Sequence, residues 1–108
     1  MLEIPLTNIP NQELSIDLND QDCTIQVRQI GAYLYLTLWV NQSLIIENAI
    51  CMPTQRILQG MIRGFTGNFV LFDFSTGWAN QGLPNYEELG TRFKLTYLTE
   101  SELSEYGL

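Results

Sequence analysis

The chain has 108 residues, 45% hydrophobic and 16% charged, with five Lys/Arg against twelve Asp/Glu, no His and a formal net charge of −7. That length makes one domain with a single core, and enough apolar surface exists to offset chain entropy, which excludes a disordered tail as the whole. The acidic balance argues against direct nucleic-acid binding, which needs clustered Lys and Arg, and no stretch approaches the roughly 20 apolar residues of a bilayer-spanning helix, so no membrane insertion is expected. The opening has no basic region followed by an apolar core and a cleavage site, so the protein is expected to stay in the compartment where it is made.

Leu2-Glu3-Ile4-Pro5-Leu6 reads as a strand. Pro5 cannot donate to a ladder, which restricts that strand to a sheet edge or to a position where the missing donor faces outward. Leu14, Ile16 and Leu18 alternate with Ser15 and Asp17, and Cys23, Ile25 and Val27 alternate with Thr24, Gln26 and Arg28. Asn19-Asp20-Gln21-Asp22 between them favours a tight turn and tolerates left-handed backbone, which predicts a hairpin. Gly31 marks the next reversal, and residues 33–40 form the longest strand, with Leu34, Leu36, Leu38 and Val40 on one face and Tyr33, Tyr35, Thr37 and Trp39 on the other. Such a strand is either central in a sandwich or has one face against a partner; each of Tyr33, Tyr35 and Trp39 is read as core before partner contact. Asn41-Gln42-Ser43 turns the chain back into Leu44-Ile45-Ile46, a strand that runs towards Ala49 and Ile50.

Between residues 53 and 64 two readings stand. Thr54 caps a short helix with an Ile57, Leu58, Met61, Ile62 stripe, or the same residues continue as irregular strand or loop with a bulge at Gly60, the reading preferred here. Residues 68–74 return to strand, with Phe69, Leu71 and Asp73 facing one way and Val70, Phe72 and Phe74 the other. Residues 75–85 are loop-like and contain Trp78, and Asn85 or Pro84 starts one helical turn through Tyr86-Glu87-Glu88-Leu89 before Gly90 ends it. Phe93, Leu95 and Tyr97 then alternate with Arg92, Lys94 and Thr96, a strand with one dry and one wet face. The expected architecture is all-β, a small antiparallel barrel or sandwich with at most one or two short helical turns, in which strands from both ends share one sheet. Residues 1–99 are expected as a single β domain and residues 100–108 as an acidic C-terminal tail, either solvated or ordered on assembly.

The chain offers little for catalytic chemistry. Without His, nucleophile–base triads cannot be built and the usual neutral-pH acid–base group is missing. Glu87 and Glu88 are adjacent and diverge on a helical turn, while Asp20 and Asp22 lie in a turn where local hydrogen bonding is the ordinary role. Asp20-x-Asp22 lacks the following ligands of a calcium loop, and residues 60–67, with three glycines and one Arg, lack the Lys-Ser/Thr ending of a phosphate loop. Cys23 and Cys51 read as small buried hydrophobes; with no His and no CxxC a zinc site has almost nothing to build on. No catalytic residue, cofactor or metal is expected.

Two Trp and five Tyr exceed what a core of this size needs, and amphipathic aromatics supply rigid area at interfaces. Trp78 and Tyr86, in loop-like sequence, and Tyr106 and Leu108, in the last nine residues, are the candidate partner-binding residues.

The opening, with Pro5-Leu6-Thr7 and Pro10-Asn11-Gln12, and the closing Leu89-Gly90-Thr91-Arg92-x-x-Leu95-x-Tyr97-Leu98-Thr99 resemble the two ends of the cyanophage-type baseplate plug family of contractile-tailed phages. In the middle, where that family tends towards Gly-rich and Arg-rich stretches around a central hairpin, this chain carries Tyr33-Leu34-Tyr35-Leu36-Thr37-Leu38-Trp39. The resemblance implies a non-enzymatic structural component of the tail baseplate, a plug packing against the central hub or spike. Its implied partners are other baseplate proteins (hub, spike, tube-initiator or wedge subunits), and its implied location is the virion, after synthesis in the host cytoplasm. Two other readings compete. One is a small acidic phage inhibitor mimicking nucleic acid, which needs carboxylates arrayed on one face; the other is a small β-barrel ligand-binding module, for which no polar constellation can be named.

Overall fold

The structure, a computed structural model, describes residues 1–59, 64–74 and 84–108. Among the described residues there are seven strands, β1 (Leu2–Glu3), β2 (Asn11–Leu18), β3 (Gln21–Ile30), β4 (Tyr33–Val40), β5 (Ser43–Ile50), β6 (Asn68–Asp73) and β7 (Phe93–Leu98), with a 3-10 turn at Tyr86–Glu88 before β7 and helix α1 (Glu100–Glu105) after it. They form two antiparallel sheets, β2-β3-β4-β5 and β1-β7-β6. The sheets do not close on one another, so of the two architectures expected the chain adopts the sandwich.

Local chemistry sets the first sheet. Asn19 and Asp20 (φ 52° and 62°), and Asn41 and Gln42 (φ 50° and 69°), hold positive φ at both central positions of two-residue turns. That geometry matches the twist of the flanking strands and, among residues with a side chain, suits Asn and Asp best. Gln21 and Asp22, expected in the first turn, already belong to β3. The inward residues Cys23, Ile25, Val27, Leu34, Leu36 and Leu38 are buried. The aromatic face of β4 turns outward, contrary to the core reading of its residues: Tyr33 is exposed, and Tyr35 and Trp39 are half-buried. Alternation had separated the two faces correctly, but with apolar residues on both it could not say which one met the opposite sheet.

The second sheet completes the core with Phe69, Leu71, Phe93, Leu95 and Tyr97. Phe65 stacks on Phe69 at 5.5 Å, and both meet the Tyr97 ring edge-on at 5.8 Å. The Tyr97 hydroxyl donates to the Thr66 carbonyl at 2.6 Å, and Gln21 bonds Thr66 in both directions, tying the sheets together at this end. Gly67 (φ +93°) runs so close to Tyr97 that a Cβ there would lie 2.6 Å from the ring.

Both chain ends enter the same sheet, as the terminal patterns predict. β1 pairs with β7 (Leu2 opposite Tyr97, Glu3 opposite Thr96), and the Ile4 N–H donates to the Leu95 carbonyl at 2.8 Å. β1 is shorter than the expected 2–6 strand because Pro5 ends the ladder, and it lies at the sheet edge. Residues 54–59 form no helix; bridges from Pro53 to Leu71 and from Arg56 to Val70 lay this segment along β6, and the buried Asn68 side chain bonds both main-chain groups of Leu58. The Gly60 bulge, Met61 and Ile62 lie outside the described residues. The helical turn expected after Asn85 is present at Tyr86–Glu88, with Gly90 at φ +83° beyond it.

One expectation about β7 needs correction. Thr96, assigned to its wet face, is buried, its hydroxyl donating to the Val70 carbonyl at 2.9 Å. The cover is α1, whose Leu103 packs with Val70 and Leu98 into a second, smaller core. Thr99 and Glu102 form a reciprocal capping box at the helix start, and Gly107 (φ +71°) closes its end, with Leu108 N–H reaching the Leu103 carbonyl at 2.9 Å.

Two predictions follow from the core. Leu95→Asp places a carboxylate among fully apolar neighbours, costs several kcal/mol against a marginal total, and is expected to abolish the cooperative thermal transition. The second concerns pH. Burial pushes the Cys23 thiol up to about 11, with Asp22 adding to the rise, and pushes Cys51 up to about 12. Unfolded thiols ionise near 9.0, so the contribution of the neutral thiols is full below pH 9 and is lost as pH rises through 11 to 12. Urea midpoints are expected to fall across that window, and Cys51→Ala is expected to flatten the decline relative to wild type.

Candidate interaction surface

The alternation of β6 sends Val70, Phe72 and Phe74 to the outer face of the second sheet, where Lys94 of β7 stands opposite Phe72. Helix α1 covers only one end of this face. Val70 and Leu98 lie beneath Leu103, Phe72 is half-covered, and Phe74 is 55% exposed. Tyr106, the C-cap of α1 and also 55% exposed, leans over the boundary with its ring 6.4 Å from that of Phe72. Phe72 and Phe74 lie 6.5 Å apart, and the Lys94 ammonium sits 5.2 Å above the Phe74 ring. The result is a row of three aromatic rings and one cation. Lys94 has no ion-pair partner among the described residues, so ring contact is the main interaction that holds it.

Beside this row the polar groups are satisfied within the chain. Arg92 grips Asp73 with two bonds of 3.0 and 3.1 Å and reaches Glu88 at 3.4 Å, which holds its guanidinium firmly protonated. Arg56 pairs with Glu100 at 3.5 Å and donates to the Leu108 carbonyl at 2.7 Å, which pins the last residue.

The four residues singled out from sequence fall in different places. Tyr106 joins this row through Phe72, and Leu108 packs on the neighbouring Val70, Leu98 and Leu103 cluster, against which Phe72 also packs. Tyr86 is half-buried, packs against the main core from the 3-10 turn and donates its main-chain N–H to the Gln29 side-chain Oε1 at 3.2 Å, so it does not join them. Trp78 lies outside the described residues. Phe72, Phe74 and Lys94 were missed. The signal was present in the alternation of residues 70–74, whose outward members are all apolar. A second apolar area, Ile30, Tyr33 and Ile50, lies on the outer face of the first sheet. Among the described residues no group of three or more His, Cys, Asp or Glu could hold a metal ion, and no helix is long and apolar enough to cross a membrane.

Fold and surface together define a small all-β sandwich whose most distinctive groups are outward-facing apolar side chains. The family model for the cyanophage baseplate Pam3 plug gp18 matches residues 1–100, and the chain belongs to that family. No curated protein matches it. The protein is therefore a structural component of a phage tail baseplate, part of the virion and interacting with other baseplate proteins.

Exposed and buried members of this face should respond differently to truncation. Phe74→Ala and Tyr106→Ala are each expected to change unfolding free energy by about 0.5 kcal/mol or less, whereas Leu103→Ala, beneath the helix, is expected to cost about 2–5 kcal/mol. Denaturant melts of the three variants check this.

Proposed function

We propose that this protein is a non-enzymatic plug that packs against the central hub or spike of the baseplate, and that the Phe72, Phe74 and Tyr106 row, with Leu108 at its margin, is the contact. The single observation that carries the surface is the exposure of Phe74 and Tyr106 beside a half-covered Phe72, an arrangement that costs solvation in the free protein and is relieved by a partner. Aromatic anchors of this kind dominate interface energies, commonly at about 2 kcal/mol or more each. Trp78, in the segment that follows Phe74 in sequence, is proposed as part of the same contact. The absence of His throughout the chain supports a passive role.

The experiment pairs assembly with stability. Tails from phage complemented with Phe74→Ala/Tyr106→Ala are expected to carry less plug than wild type while the purified double variant unfolds normally. A photo-crosslinking residue at position 74 is expected to capture the hub or spike subunit. Normal occupancy of a normally folded double variant would remove this surface from the proposal, and capture of a wedge subunit instead would relocate the plug.

A further inference from the structure

Rows of open main-chain donors and acceptors at sheet edges accept foreign strands unless something blocks them. The two sheets end at β1, β6, β2 and β5. β1 is two residues long and followed by Pro5, and β6 is bordered by the bridges from Pro53 and Arg56. β5 changes register against β4 on both sides of Leu38 and holds Asn48 at φ 53°, which breaks up its edge. β2 has none of these defences among the described residues. It pairs with β3 residue for residue, from Asn11 opposite Arg28 to Leu18 opposite Gln21, with no bulge and no proline.

The register identifies the open groups. The Gln29 N–H donates to the Pro10 carbonyl at 2.8 Å, and bonded pairs alternate along an antiparallel ladder. The even-numbered residues of β2 therefore bond β3, and the N–H and C=O groups of Asn11, Glu13, Ser15 and Asp17 point to the free edge. Those four residues are exposed, while the inward-facing Leu14 and Ile16 are only half-covered, as expected where the sandwich lacks a further strand.

Charge decides what that strand is. Asp17 stands directly opposite Asp22, a like-charge pair that destabilises a ladder, and Asp20 lies in the turn joining the two strands. None of these three, nor Glu13, has an ion-pair partner among the described residues. A second copy of the chain would bring the same carboxylates to the same edge. We infer that the β2 edge receives an extended segment of a partner protein as an added strand, with Lys or Arg alternating with apolar residues. The basic side chains lie over Glu13 and Asp17, and the apolar ones cover Leu14 and Ile16. This edge belongs to the other sheet from the aromatic row, and the inference stands whether or not that row contacts the hub.

The test uses the full chain and two synthetic octapeptides, one alternating lysine with valine and one alternating glutamate with valine. The lysine peptide is expected to slow amide hydrogen exchange at Glu13, Ser15 and Asp17 by roughly tenfold or more at saturation, less so at high salt, with no effect from the glutamate peptide. Ser15→Pro removes one outward donor without touching a bond to β3 and is expected to abolish the protection; thermal unfolding of this variant is recorded alongside. Glu13→Lys/Asp17→Lys leaves the main chain intact and is expected to transfer the preference to the glutamate peptide, so the test stands even if Ser15→Pro unfolds. No protection at millimolar lysine peptide, equal protection by both peptides, protection centred on Phe74 and Tyr106, or protection of the same amides by self-association without peptide would each overturn the inference.

Discussion

Strand β7 is the element on which the rest of the structure depends, because it is the middle strand of its sheet and is buried on both faces. Its inner residues Phe93, Leu95 and Tyr97 press against the first sheet, and its outer residues Thr96 and Leu98 receive α1. Its two edges hold β1 and β6. Ladder hydrogen bonds, the main core and the smaller helix core therefore meet in six residues, and a change there is felt by both chain ends at once. The Tyr97 ring extends this role to the first sheet, since its hydroxyl and the Gln21 side chain share Thr66.

Helix α1 has too few residues to be stable alone, and three local devices hold it. A capping box satisfies its first turn, a left-handed glycine satisfies its last, and Leu103 anchors its middle. Covering only part of the outer sheet face is what creates the aromatic row, because the helix ends where Phe72 begins to emerge and sets Tyr106 against it. The free surface of a baseplate plug is thus a consequence of where a short helix stops.

The two sheets present different chemistry to their surroundings. The outer face of the second is aromatic with a lone ammonium, Lys94, over a ring. The β2 side of the first is carboxylate-rich with open main-chain groups. The first suits desolvated packing and the second suits directional, salt-sensitive pairing, so the two proposed contacts differ in their response to salt.

By itself the sequence determined the strands, because period-two alternation in residues 14–18, 23–28, 33–40 and 93–97 has one physical meaning, and Asn-rich turns with left-handed backbone join neighbours into hairpins. It also placed both chain ends in one sheet, with Pro5 at its edge. Only the tertiary structure decided what covers each face. Tyr33, Tyr35 and Trp39 turn outward and Thr96 is buried because coverage depends on elements distant in sequence, and alternation reports two faces without naming their neighbours. The same reason separates the candidate contact residues: Tyr106 meets Phe72 and Leu108 packs on the Val70, Leu98 and Leu103 cluster through the fold of α1, while Tyr86 is drawn to the core by the 3-10 turn, associations no local pattern encodes.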